Sequence, residues 1–179
     1  MSLSSSSSCS SSISLRVRDY DLAATLDSGQ VFRWQPERGR PARVNQNPQL
    51  AGEPPALLSS WTGVVGKHFV RLTQTRDGIR AETAAPVENW QWLRDFLQTE
   101  TDLTAVLKTF PDDEPVRAAV AACRGLRVLR QEPWECLASF ILSSTKQIVQ
   151  IRQIISLLCE KFGEPLTLTL SPSDGAREQ

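Results

Sequence analysis

Ser28-Gly29-Gln30-Val31-Phe32-Arg33-Trp34 is the stretch on which the reading of this chain turns. Asp27, Ser28 and Gly29 are turn formers, and the residues after them alternate in character, so a tight turn feeding a strand over Gln30–Trp34 is predicted. On such a strand Phe32 and Trp34 share one face while Val31 and Arg33 take the other, which makes the two aromatics core residues. A glycine followed by a carboxamide at the mouth of an aromatic strand places backbone and amide hydrogen-bonding groups where little side-chain bulk covers them.

Upstream, residues 1–12 are serine-rich and carry neither a basic n-region nor an apolar h-region, so they read as a disordered leader and not as a secretory signal. Ile13, Leu15 and Val17 alternate with Ser14, Arg16 and Arg18 and predict a half-buried strand, whereas Asp19 to Asp27 fits neither period. Downstream, residues 35–60 hold Pro36, Pro41, Pro48, Pro54, Pro55, Gly39 and Gly52, a composition that sustains neither a ladder nor a helix and reads as a surface insertion. Trp61 to Val65 and Lys67 to Gln74 then form a hairpin around Gly66, with Val70 and Leu72 on one side and Phe69, Arg71 and Thr73 on the other. Asp77-Gly78 turns the chain again into Ile79 to Thr83. The front half is therefore a meander of antiparallel strands.

From Asn89 the period changes from two to 3.6. Trp90, Leu93, Phe96 and Leu97 form a helical stripe that Asn89 can cap, and Pro115 to Cys123 is a short helix that Gly125 can end. Pro133 suits a first helical turn, after which Trp134, Leu137, Phe140 and Ile141 share a face. Ile148, Ile151, Ile155, Leu158 and Phe162 make a second amphipathic helix stopped by Gly163. The stripe of this second helix needs a partner, and with one hairpin present some of it is expected to face helices that the 179 residues do not contain.

Lys+Arg 20 against Asp+Glu 20 excludes a protein that holds nucleic acid through bulk positive charge, so any DNA contact must be local. Cys9, Cys123, Cys136 and Cys159 are far apart and unpaired by spacing, and read as buried free thiols of a reducing cytoplasm. His68 is the only histidine and no ligand spacing occurs, so no metal site is expected. No apolar run is long enough to span a bilayer. The expectation is a cytoplasmic protein, nucleoid-associated if bacterial, with no cofactor and no membrane partner.

The motif Ser28 to Trp34 resembles the N-terminal signature of the 8-oxoguanine DNA glycosylases. A second stretch, Arg127-Val128-Leu129-Arg130-Gln131-Glu132-Pro133-Trp134-Glu135-Cys136-Leu137-Ala138-Ser139-Phe140-Ile141-Leu142-Ser143-Ser144, resembles the start of the helical domain of the same family. The resemblance runs from about Leu15 to Gly163, broken by the Pro-rich insertion. It implies an α+β fold, the TBP-like N-terminal domain, with a twisted antiparallel sheet and flanking helices over 13–125. A helical hairpin from an incomplete all-α domain over 126–163 and an unstructured tail over 164–179 complete the expected organisation.

The implied activity is excision of oxidised purine opposite cytosine, with lyase cleavage of the strand, in base excision repair. The implied partner is double-stranded DNA containing an oxidised purine. Oxidised guanine differs from guanine by a proton on N7, and a base-flipping enzyme reads that proton with an acceptor brought close to the base. In the family the glycine matching Gly29 offers its carbonyl there, and Gln30 follows as a second base-binding candidate. Taken alone, Ser28-Gly29-Gln30 is only a turn between strands; the resemblance supplies the pocket role.

Ser144, Thr145, Lys146 and Gln147 join the two helices where the family inserts a loop into the duplex. Eukaryotic members carry an asparagine run at that loop and an arginine where this chain has Gln150, so the resemblance implies a loop that meets phosphate or base edges without the same cytosine contacts. The alternative for this loop is an ordinary helix-to-helix turn with a Ser/Thr cap. Arg127 and Arg130, ahead of the hairpin, can be read as phosphate contacts, but isolated surface arginines more often do nothing specific. The family's catalytic lysine and aspartate are expected beyond Gln179, so no catalytic residue is assigned and the chain alone is expected to be inactive. A non-catalytic DNA-binding or protein-interaction module, and a non-functional gene remnant, are the alternatives.

Overall fold

Among the described residues the front half forms five antiparallel strands, β1 (Ser11–Arg16), β2 (Gln35–Glu37), β3 (Ser60–Val65), β4 (His68–Thr75) and β5 (Gly78–Thr83), built on alternating apolar residues except for β2, which corrects the expectation that residues 35–60 sustain no ladder. They lie in one sheet in the order β1-β5-β4-β3-β2. The computed structural model describes residues 11–37, 60–144 and 147–163; the leader up to Ser10, residues 38–59 of the proline-rich stretch, Thr145, Lys146 and the tail from 164 lie outside the described residues. Six helices follow or interrupt the strands: α1 (Leu22–Leu26), α2 (Gln91–Leu97), α3 (Leu103–Leu107), α4 (Glu114–Ala122), α5 (Pro133–Ser143) and α6 (Ile148–Phe162). The α+β class expected from the sequence is the fold observed.

Register explains which face is buried. Leu15 stands opposite Ile79, Leu72 opposite Ala81 and Trp61 opposite Leu72, so the inward residues of four strands form contiguous rows. All of these, with Val70, are buried, whereas Arg71 and Arg80 on the reverse face are exposed. Leu22 and Leu26 of α1 and Leu93, Phe96 and Leu97 of α2 close over that face to make the core. Asp21 caps α1 by accepting from the Ala24 amide at 2.8 Å. Asp19 to Asp27, which fits neither sequence period, thus contains a one-turn helix whose length is too short to display one. Helix α3 is a further element that short periodicity conceals, capped by Asp102 through the Thr104 and Ala105 amides.

Two further expectations are corrected by the structure. Ser11 and Ser12 belong to β1, pairing with Thr83 and Glu82, so the strand starts inside the predicted leader. The segment Gln30–Trp34 is not a strand: it bends at Phe32-Arg33, and the ladder begins only at Gln35. Its buried residues are Val31 and Trp34, three apart, while Phe32 is half-buried. The cause is local, because Gly29 takes φ +84 and Gln30 spends its side chain on a neighbouring segment, so the chain cannot extend into a ladder here. β2 carries Pro36, which the sheet tolerates because β2 is the edge strand and needs no donor on its outer side.

Trp34 is the keystone of this bend. Its ring is 2% exposed, stacks on Phe96 with centroids 5.9 Å apart, and lies flat over Gly63 of β3. A Cβ on Gly63 would sit inside the indole, so the strand carries glycine at that point to let the ring through.

The expectation of buried thiols fails for the three described cysteines, while Cys9 lies outside the described residues. Cys123, Cys136 and Cys159 are exposed: α4, which Cys123 ends, buries none of its residues, Cys136 lies on a face of α5 that the core does not cover, and α6 runs past its last core contact, Ile155, before it reaches Cys159. On α6 the stripe divides, with Ile151 and Ile155 buried and Ile148, Leu158 and Phe162 exposed; on α5 Trp134, Leu137, Phe140 and Ile141 are all exposed, Phe140 at 72%. No helix among the described residues is long and apolar enough to cross a membrane.

His68 stacks on Trp92 at 4.3 Å, and Trp92 continues to Trp90 at 6.0 Å. Burial holds the His68 pKa below its ordinary 6.5, and nearby Lys67 pushes the same way. A group whose folded pKa is depressed contributes stability above its unfolded value that is lost as pH falls through the folded one. Urea titrations are therefore expected to show stability declining as pH drops below 6.5, with a shallower decline in His68→Phe. An identical slope in the two proteins would show that His68 is not the group responsible.

Candidate functional site

The signature turn sits where the sheet layer meets the α5–α6 hairpin, and four of its side chains or backbone groups face that hairpin and the segment leading into it. Asp27 pairs with Arg152 of α6 at 2.6 Å, and Arg33 pairs with Glu135 of α5 at 3.4 Å. Between them, Gly29 faces the start of α6, where a Cβ placed on it would lie at ordinary van der Waals distance, 3.9 Å, from the Ile148 Cδ1. At φ +84, a conformation costly for any residue with a Cβ, Gly29 is outside every strand ladder, and its carbonyl accepts no hydrogen bond among the described residues. Burial raises the Glu135 pKa; the Arg33 guanidinium opposes that shift and Glu132 adds to it.

Gln30 is held by protein groups on three sides. Its Nε2 donates to Ser28 Oγ and to the Arg127 carbonyl, each at 2.9 Å, and its Oε1 accepts from the Leu129 amide at 2.9 Å. The segment Arg127–Arg130 is extended, and its amides are shared among three elements. Arg127 N–H bonds Thr25 Oγ1 of α1 at 3.1 Å, Leu129 N–H bonds Gln30, and Arg130 N–H bonds the Phe96 carbonyl of α2 at 3.0 Å. Alternation then buries Arg127 and Leu129 and exposes Val128 and Arg130.

Arg127 is not available to phosphate, so that reading does not hold for it. Its guanidinium is 5% exposed, donates to the Thr101 carbonyl at 2.9 Å and to the Arg18 and Asp19 carbonyls at 3.2 and 3.4 Å, and lies 5.6 Å from the Tyr20 ring centroid. No acidic side chain pairs with it among the described residues; backbone oxygens take its two terminal nitrogens instead, while its buried Nε has no partner there. The sequence hid this because a buried arginine bonded to carbonyls has no partner at any fixed spacing. Arg130 remains exposed.

The family model described as "8-oxoguanine DNA glycosylase, N-terminal domain" matches residues 12–137, from the second residue of β1 into α5. The chain belongs to the 8-oxoguanine DNA glycosylase family. Within curated relatives it is 30% identical over 161 residues to N-glycosylase/DNA lyase OGG1 of Arabidopsis thaliana, covering 86% of this chain and 37% of that protein. It is 48% identical over 156 residues to the N-glycosylase/DNA lyase of Saccharomyces cerevisiae, covering 82% and 37% respectively. The chain therefore spans little more than a third of the length of these relatives.

Among solved structures of 8-oxoguanine glycosylases, MBOgg1 in complex with a low-affinity DNA ligand superposes with TM-score 0.69 at 26% identity, covering 87% of this chain and 48% of that one. The apo form of the Clostridium acetobutylicum 8-oxoguanine glycosylase/lyase shares the fold, with TM-score 0.62 at 22% identity over 79% of this chain and 43% of that one.

In this glycosylase-family chain the four loop candidates divide. Ser144 caps α5 and donates to the Ile141 carbonyl at 2.9 Å; Gln147 precedes α6 and its amide donates to Gln150 Oε1 at 3.3 Å. Thr145 and Lys146 lie outside the described residues. Ser144 and Gln147 are both exposed, and the first-turn amides of α6 lie at this end of the helix, a place favourable to anions. Ile148, one residue further on, lies 3.9 Å from where a Cβ on Gly29 would stand, so the loop and the turn belong to one region of the surface.

Proposed function

We propose that this chain is the base-reading N-terminal part of an 8-oxoguanine DNA glycosylase and lyase, acting on duplex DNA that contains an oxidised purine. In this reading the Gly29 carbonyl accepts the N7 proton that oxidised guanine carries and guanine lacks. Gln30 stands behind it, and Ser144, Thr145, Lys146 and Gln147 meet the opened duplex from α5 and α6. The observation that carries the proposal is the Gly29 carbonyl, which has no donor among the described residues, in a left-handed turn beside the start of α6. Extrusion of the base into the space between sheet layer and hairpin brings it within reach of both the turn and the loop.

The test is a titration of the 179-residue chain with matched duplexes, one carrying 8-oxoguanine opposite cytosine and one carrying guanine. A single additional hydrogen bond implies roughly a three- to tenfold preference for the oxidised duplex. Gly29→Val is expected to bring the two affinities together, since a β-branched residue cannot hold φ +84 without displacing the carbonyl. Equal affinity of the unaltered chain for both duplexes would defeat the proposal.

The exposed stripe of α5 supports a second reading, a protein-interaction module in which the hairpin docks on further helices. Salt-insensitive self-association in sedimentation would favour it; binding to the oxidised duplex that weakens with salt favours the first.

A further inference from the structure

We infer that Gln30 is a positioning residue, whose carboxamide fastens the Gly29 turn to the Arg127–Leu129 segment and so sets the spacing between the base-reading carbonyl and the helical hairpin. The inference rests on the proposed reading of Gly29 for its functional consequence and on hydrogen-bond geometry for its structural one. A glutamine amide has two donor hydrogens and two acceptor lone pairs. Three of these four positions are filled within the protein, at 2.9 Å each, by Ser28 Oγ, the Arg127 carbonyl and the Leu129 amide. Donor and acceptor each face their complement, so the amide orientation is fixed by its neighbours. Gln30 therefore acts on the base through Gly29 and not by direct contact.

The arrangement behaves as a clasp. Gln30 follows the one residue of the turn with positive φ, and the groups it holds lie almost a hundred residues away, a few positions before Pro133 opens α5. Two ion pairs flank it, Asp27 with Arg152 and Arg33 with Glu135, and both are partly exposed and weak on their own. Among the described residues the Gln30 clasp is the tie by which the turn itself engages backbone on the far side, and it works beside the Thr25 bond to the Arg127 amide and the Phe96 bond to the Arg130 amide, which anchor the same segment to α1 and α2. Ser28 completes it by donating its hydroxyl to the Thr25 carbonyl at 2.8 Å, which ties the clasp to α1.

Hydrogen exchange and duplex binding of the full 179-residue chain test the inference together. In Gln30→Ala the Leu129 amide is expected to exchange about tenfold faster, while the Arg127 amide, held by Thr25 Oγ1, keeps its rate. The preference for the 8-oxoguanine duplex is expected to fall at least about threefold. Gln30→Glu keeps an oxygen for the Leu129 amide and loses the two donors, so it is expected to restore Leu129 protection in part and the preference only weakly. Equal acceleration of both amides in Gln30→Ala, or full lesion preference despite a freed Leu129 amide, would overturn the inference. If the unaltered chain shows no preference at all, Gly29 loses its proposed role, and the Leu129-to-Arg127 exchange ratio alone upholds or overturns the clasp.

Discussion

Trp34→Ala is expected to cost about 3–5 kcal/mol of folding free energy, the range for emptying a large aromatic site in a packed core. Three elements converge on this ring: it fills the bend before β2, stacks on Phe96 of α2 at 5.9 Å, and covers the glycine that β3 keeps open for it. Removing it leaves a void bounded by sheet and helix backbones that cannot collapse together, so little of the loss is recovered. Trp34→Phe keeps a planar ring and should cost clearly less. Urea denaturation followed by circular dichroism gives both values; a loss below about 1 kcal/mol for alanine would mean that the bend repacks and that Trp34 does not organise it.

Arg127→Met is expected to destabilise by about 1–3 kcal/mol, since it removes the charge-assisted hydrogen bonds by which the buried guanidinium joins the carbonyls of Thr101, Arg18 and Asp19, while water can reach those exposed residues and the cost of burying a charge is spared. Arg127→Lys should recover little, because one ammonium cannot span donors to the chain on both sides as a guanidinium fork does. The Tyr20 hydroxyl, which donates to the Leu97 carbonyl at 3.1 Å, provides an internal reporter. Burial already raises its pKa, and Arg127 opposes that rise. Loss of Arg127 should therefore push the tyrosine titration further up. Equal stability of the methionine variant would show that those carbonyls find other donors and that Arg127 is dispensable to the joint.

Strands and long helices were legible because their signal repeats. Ile13 to Val17, Val70 and Leu72, and the Ile151–Ile155 stripe each show a period that maps onto the face they bury. The turn at Gly29 was also legible, in residue types that favour left-handed backbone. What alternation misrepresents is the stretch directly after it. Val31 to Trp34 looks period-two in sequence, yet a positive φ and a side-chain clasp from a distant segment bend it, so Phe32 leaves the core and Val31 enters it. Arg127 and Thr25 were illegible for a related reason: both act through backbone partners far along the chain, and no local pattern encodes a carbonyl. Cysteine burial failed because residue type predicts environment only on average, and α4 and the end of α6 lie away from the core.

The central claim is that an oxidised base is read by main chain at Gly29, and a structure of this chain bound to a duplex carrying 8-oxoguanine tests it most directly. The extruded base is expected beside the start of α6, with its N7 at hydrogen-bond distance, about 2.7–3.2 Å, from the Gly29 carbonyl oxygen. A base lodged elsewhere, or a Gly29 carbonyl bonded to another protein group while the lesion is bound, would contradict it.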